Sequence, residues 1–145
     1  MPHRRIVHAL YLALAFFERE HPGVIDHFGG GAEFQLSVPE MASGRNPDLA
    51  VVTCDAPRDP DGQGVPRLAI EVVSPGAEAH EHDHVTKREE YLIFGLDEYW
   101  IVDPIERRVL VLMREGVAWA ERVFEAGEEA KGRILPGFRV PVADL

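Results

Sequence analysis

The sequence predicts a single α/β (α+β) domain over residues 1–145, a mixed sheet with helices packed against it. Three observations carry that expectation. Residues 3–20 place Ile6, Leu10, Leu14 and Phe17 at helical spacing, with Val7, Ala13 and Phe16 widening the stripe. Residues 67–74 and 99–102 are short strand-forming runs, apolar on both faces apart from Glu71, as strands in the middle of a covered sheet are. The order is helix, hairpin, strand, strand, helix, strand, hairpin, which gives helices set against a mixed sheet. A chain of 145 residues suits one domain and buries roughly two-thirds of its unfolded surface.

Each element has a local cause. Pro22-Gly23 stops the first helix. Residues 24–28 and 34–38 read as two short strands around Gly29-Gly30-Gly31, a hairpin. Residues 39–46 form a loop, and Pro47 opens a strand running to Thr53, where its missing N–H does little harm. Prolines, glycines and three aspartates make residues 55–66 a surface loop. The strand 67–74 breaks at Pro75-Gly76. A helix is expected over 83–94, with Asp83 as its N-cap and Gly95 as its end. Asp103-Pro104 closes the strand 99–102. Residues 108–113 and 118–124 form an antiparallel pair around Glu115-Gly116, and the tail 134–145 is extended and partly strand.

Composition bounds the function. The hydrophobic fraction of 46% with 28% charged residues is that of an ordinary globular chain. Cys54 is the single cysteine, so no internal disulfide framework or multi-cysteine zinc site can form; it is expected to pack behind its strand, and the compartment to be the reducing cytoplasm. No apolar run approaches the roughly 18 residues that span a bilayer, and the N-terminal residues lack a signal peptide's three-part pattern. The net charge of −10 argues against tight duplex binding, which rests on phosphate neutralisation by a basic face. A carboxylate metal site adds negative charge of its own, however, and the ion offsets it.

The chemistry-bearing residues are few. Asp48 opens one strand, and Glu71 stands inside another between Ile70 and Val72. A buried ionised carboxylate must be paired, hydrogen-bonded or metal-bound. Lys87 lies one turn after Asp83 and Tyr91 one turn after Lys87, so the three share a helix face. Each has a bland reading: Asp48 as a strand-entry cap, Asp83–Lys87 as a surface ion pair of little energetic weight. Two acids and a cation within a short stretch point instead to a metal-dependent phosphodiester site. His80, His82 and His84 alternate in what reads as a loop, without the spacing of a dedicated zinc site. No Gly-x-Ser-x-Gly elbow or phosphate loop is present.

Asn46-Pro47-Asp48, Ile70-Glu71-Val72-Val73-Ser74-Pro75, Asp83 with Lys87 and Tyr91, and the run from Gly95 to Pro104 together resemble the Uma-two family, a bacterial group within the PD-(D/E)XK restriction-endonuclease-like superfamily. His3-Arg4-Arg5-Ile6-Val7 and Leu135-Pro136-Gly137-Phe138 extend the resemblance over most of the chain. It implies a restriction-endonuclease-like core with an acidic Mg²⁺ (or Mn²⁺) site. Asp48 maps to the superfamily's first acid and Glu71 to its second. The lysine of the acid-x-Lys triplet would fall on Val73, and the family's answer is a lysine moved to the following helix, here Lys87. Asp83 and Tyr91 are implied neighbours. Family members begin with a longer leader, so this chain is expected to be a short variant or a truncated frame lacking any acid from it.

The resulting expectation is a metal-dependent DNA endonuclease in which Asp48, Glu71 and the Val72 carbonyl hold the ion and Lys87 assists the attacking water. The alternatives are an inactive binding or regulatory module of the same fold, and a small phosphoesterase acting on a nucleotide. A two-fold homodimer is expected through apolar edge elements at 109–113 and 138–142.

Overall fold

Ile6, Leu10, Leu14 and Phe17 are the buried residues of the first helix, α1 (His3–Glu20), and they seat it on one face of a sheet. The structure is a computed structural model that describes residues 2–30, 47–74 and 77–145, with the helix backbone alone over 77–84. The strands are β1 (Ile25–Gly29), β2 (Leu49–Thr53), β3 (Leu68–Val72), β4 (Glu98–Asp103), β5 (Arg108–Glu115) and β6 (Ala118–Glu125), side by side in that order. β3 and β4 are parallel and every other neighbouring pair is antiparallel. A parallel pair needs a crossover, which α2 (Ala77–Phe94) supplies. β7 (Glu129–Lys131) and β8 (Arg139–Pro141) form a separate two-stranded ribbon, followed by a short 3-10 turn at Val142–Asp144.

Side-chain alternation divides the core in two. Leu68, Ile70, Val72, Trp100 and Val102 pack with α1 and with Phe138, Val140 and Val142 of the tail. Ala69, Tyr99, Ile101, Leu110 and Leu112 pack with Tyr91 and Leu96 at the α2 side. β3 is buried along its whole length, as a central strand covered on both faces should be. Because β2 runs against β3 while β4 runs with it, the start of β2 and the ends of β3 and β4 meet at one end of the sheet.

Six expectations change. α2 begins at Ala77, not 83, because Ala77-Glu78-Ala79 are helix formers and no breaker follows until Gly95, whose φ of 109° ends the helix. Asp83 therefore lies inside α2 and is not its N-cap. His80 and His84 likewise stand four apart on a helix instead of in a loop, with side chains outside the described residues. Cys54 is exposed just after β2. The 109–113 segment is no edge: β5 is flanked by β4 and β6, and Val109, Leu110, Val111, Leu112 and Met113 are all buried. Phe138, Val140 and Val142 are core residues too. The strand expected at 34–38 lies outside the described residues.

Candidate active site

The ladder between β2 and β3 pairs Leu49 with Ile70 and Ala50 with Ala69. One further step sets Asp48 opposite Glu71. Asp48 itself bends out of the strand and turns its carboxylate onto the end of β3. There Oδ2 accepts the Val72 backbone N–H at 2.8 Å and lies 3.2 Å from Nε2 of His3, in the first turn of α1. Asp48 keeps 27% of its side chain exposed, and among the described residues no donor reaches its Oδ1. Register and one bend thus bring two carboxylates to the same strand end.

Glu71 is 7% exposed, and protein donors hold both of its oxygens. Lys87 Nζ lies 3.2 Å from Oε1 and from Oε2. The Tyr91 hydroxyl donates to Oε1 at 3.3 Å and the Tyr99 hydroxyl to Oε2 at 2.7 Å. The two tyrosine rings meet edge-on, 4.9 Å apart at 88°. Burial, and then the charge of Glu71, hold the Tyr99 hydroxyl well above the ordinary tyrosine value of 10.0, so it stays a donor. A buried carboxylate with an ammonium and two hydroxyls around it is compensated without solvent.

Lys87 is accordingly not the exposed member of a surface pair. Only 19% of its side chain is exposed and it reaches inward; the Asp83 side chain lies outside the described residues. Val73, at the triplet position, is buried on the α2 side beside Tyr91. Two site neighbours escaped the sequence reading. Tyr99 carried a usable signal, because a phenol in a central strand needs a polar partner and the buried acid Glu71 needs a donor. His3 carried only its place in the run His3-Arg4-Arg5-Ile6-Val7, with nothing local to pair it with Asp48.

The sheet topology and this strand-end site can now be set beside known proteins. The chain matches the Uma2 family, described as "Putative restriction endonuclease", over residues 1–143. The protein belongs to the Uma2 family. A crystal structure described as that of a "putative nuclease belonging to DUF820" from Anabaena variabilis ATCC 29413 aligns with a TM-score of 0.70 at 18% identity, covering 99% of this chain and 81% of that one. At that identity the likeness is one of fold, a six-stranded mixed sheet flanked by helices. No curated protein matches the chain.

The Uma2 site can be tested against a divalent ion by its donor chemistry. Among the described residues no group of three or more His, Cys, Asp and Glu side chains gathers. Among the described residues Asp48 and Glu71 are the anionic oxygen donors at this strand end, and no donor there reaches the Asp48 Oδ1. Two carboxylates with backbone and water oxygens suit Mg²⁺, which keeps several of its waters, better than a dedicated all-protein cage would. The residues fit such an ion once Lys87 yields its contact with Glu71. Two clefts of about 530 and 480 Å³ border Arg67 and Arg133 at the opposite end of the sheet, away from both acids.

Proposed function

We propose that this Uma2 protein is a metal-dependent endonuclease that hydrolyses phosphodiester bonds of DNA. One observation carries the reading: at the end of β3 the Val72 N–H binds the Asp48 carboxylate, and Lys87 of α2 contacts the neighbouring Glu71. Asp48, Glu71 and the Val72 carbonyl would hold Mg²⁺ or Mn²⁺. The bound ion would lower the pKa of a water and polarise the scissile phosphate. Lys87 would orient that water and offset charge developing on the phosphoryl oxygens. Tyr91, and Asp83 on the same helix, would support the lysine. The family's description as a restriction endonuclease and the nuclease-like fold support this assignment.

A second reading, a binding or regulatory module without turnover, is favoured by the full complement of protein donors on Glu71. Incubating supercoiled and single-stranded DNA with the protein and Mg²⁺ or Mn²⁺ separates the two. The endonuclease reading expects metal-dependent nicking that Asp48→Ala abolishes. Intact DNA across both metals would leave the module.

We further propose a cytoplasmic homodimer, since cutting both strands of a duplex suits two-fold symmetry. Among the described residues the outer strands of the sheet are β1 and β6, so contact through one of these or through a helix face replaces the 109–113 edge. Among the described residues no helix is long and apolar enough to cross a membrane. Light scattering is expected to give twice the chain mass; 16.2 kDa at high concentration would refute the dimer.

A further inference from the structure

We propose that Tyr99 is the positioning residue of this site: it is the fixed donor that holds the Glu71 carboxylate in place, while Lys87 is the donor that exchanges. The inference rests on the metal-site reading above and adds a division of labour among the groups around Glu71.

Tyr99 has no freedom to leave. It stands in β4, whose parallel register with β3 pairs Ala69 with Tyr99 and Glu71 with Ile101, so Tyr99 and Glu71 share the α2 face. The residue is fully buried, its ring is wedged edge-on against Tyr91, and its strand has neighbours on both sides. Its 2.7 Å bond to Oε2 is the shortest that Glu71 accepts, in the range of charge-assisted O–H···O⁻ bonds.

Lys87 differs on each count. It reaches Glu71 on a flexible four-carbon stem from α2 and makes two contacts of 3.2 Å in place of one short bond. Among the described residues it is also the one charged donor on Glu71. An ammonium and a divalent cation compete for the same carboxylate, whereas a neutral hydroxyl on the far oxygen does not. Lys87 would therefore be the donor that yields to a bound ion, while Tyr99 would keep its bond to Glu71. The released ammonium would remain at the end of β3, available to a phosphate. Tyr99 acts through Glu71 and touches no reacting atom.

The test is Mn²⁺ binding to the full-length chain by calorimetry, alongside cleavage kinetics. Tyr99→Phe removes one oxygen and keeps the ring, and the expected result is a 10- to 100-fold weaker Mn²⁺ affinity, the usual cost of losing a group that orients a metal ligand. kcat should fall while KM for DNA stays put. Tyr91→Phe, which removes the 3.3 Å contact, should cost less. Lys87→Ala should bind Mn²⁺ at least as tightly as the wild type, since a competitor has gone. A second measurement needs no variant. Lys87 and Lys131 are the only lysines, so on Mg²⁺ addition the Lys87 side-chain NMR signal should move, the Lys131 signal should not, and the Tyr99 ring signals should hold. Wild-type binding that Tyr99→Phe leaves intact, or a moving Tyr99 with a static Lys87, overturns this inference alone. A wild type that binds no Mn²⁺ overturns the metal-site reading and this inference with it.

Discussion

Lys87→Ala is expected to lower DNA cleavage by about a hundred- to a thousand-fold, the range seen when one preorganised donor to a developing charge is lost. The chain holds no second candidate at the triplet position, because Val73 is apolar and buried. The same substitution should also destabilise the fold. Sequence reasoning that treats Lys87 as half of an exposed pair expects almost no change in Tm, but the structure puts the ammonium on a carboxylate that is 7% exposed. Removing it leaves a buried charge with two hydroxyl donors, a loss of roughly 1–3 kcal/mol. Thermal melts should show a drop of several degrees. Adding Val73→Lys places a cation on the same strand face as Glu71, two residues away, and some cleavage should return if charge and not the element carrying it matters. Full activity in Lys87→Ala would remove the central assignment.

Much of this architecture was legible because the sequence signals were local and strong. The Ile6, Leu10, Leu14, Phe17 stripe gives α1, and all four residues are buried. The doubly apolar run at 68–72 gives a central strand, and Gly95 ends α2 at a positive φ. The misses have physical causes as well. The start of α2 was misplaced because alternating His, Glu and Asp residues look like a loop, while helix propensity without a breaker carries the helix back to Ala77. Strand order cannot be read from apolar content alone, so β5 passed for an edge. Glu71 was nameable because its charge conflicts with the strand around it, and Asp48 and Lys87 because, combined with it, they make two acids and a cation in a short stretch that resembles the family's pattern. What joins them is long-range: the β2–β3 register, the α2 crossover and the β4 register that delivers Tyr99. None of these is written in a local window.

Glu98→Ala is expected to be the most destabilising single substitution at a charged residue away from the candidate site. Glu98 is 1% exposed at the start of β4, the end of that strand farthest from the Val102 that pairs with Val72. Its Oε1 accepts the backbone N–H groups of Arg133 at 2.6 Å and Ile134 at 3.2 Å, and its Oε2 accepts the Trp100 indole N–H at 2.8 Å. Three donors thus depend on one carboxylate. It fastens the segment that carries Leu135, Phe138, Val140 and Val142 into the core. Truncation to alanine strands all three donors in a site too closed to rehydrate them freely, and each buried unsatisfied group costs about 1–3 kcal/mol, with less than full additivity. We expect a total loss of roughly 3–5 kcal/mol, the range for removing one partner of a buried charged network. That corresponds to a fall in Tm on the order of 10 °C for a domain of this size. Gly132→Ala should act on the same contact from the other side, since a Cβ there would collide with the Glu98 carboxylate and that carboxylate is fixed by its three donors. Residual cleavage per folded molecule should be unchanged in both variants at low temperature, because neither touches the end of the sheet where Asp48 and Glu71 meet. A melting temperature within 2 °C of wild type for Glu98→Ala would show that the tail is held by its apolar contacts alone.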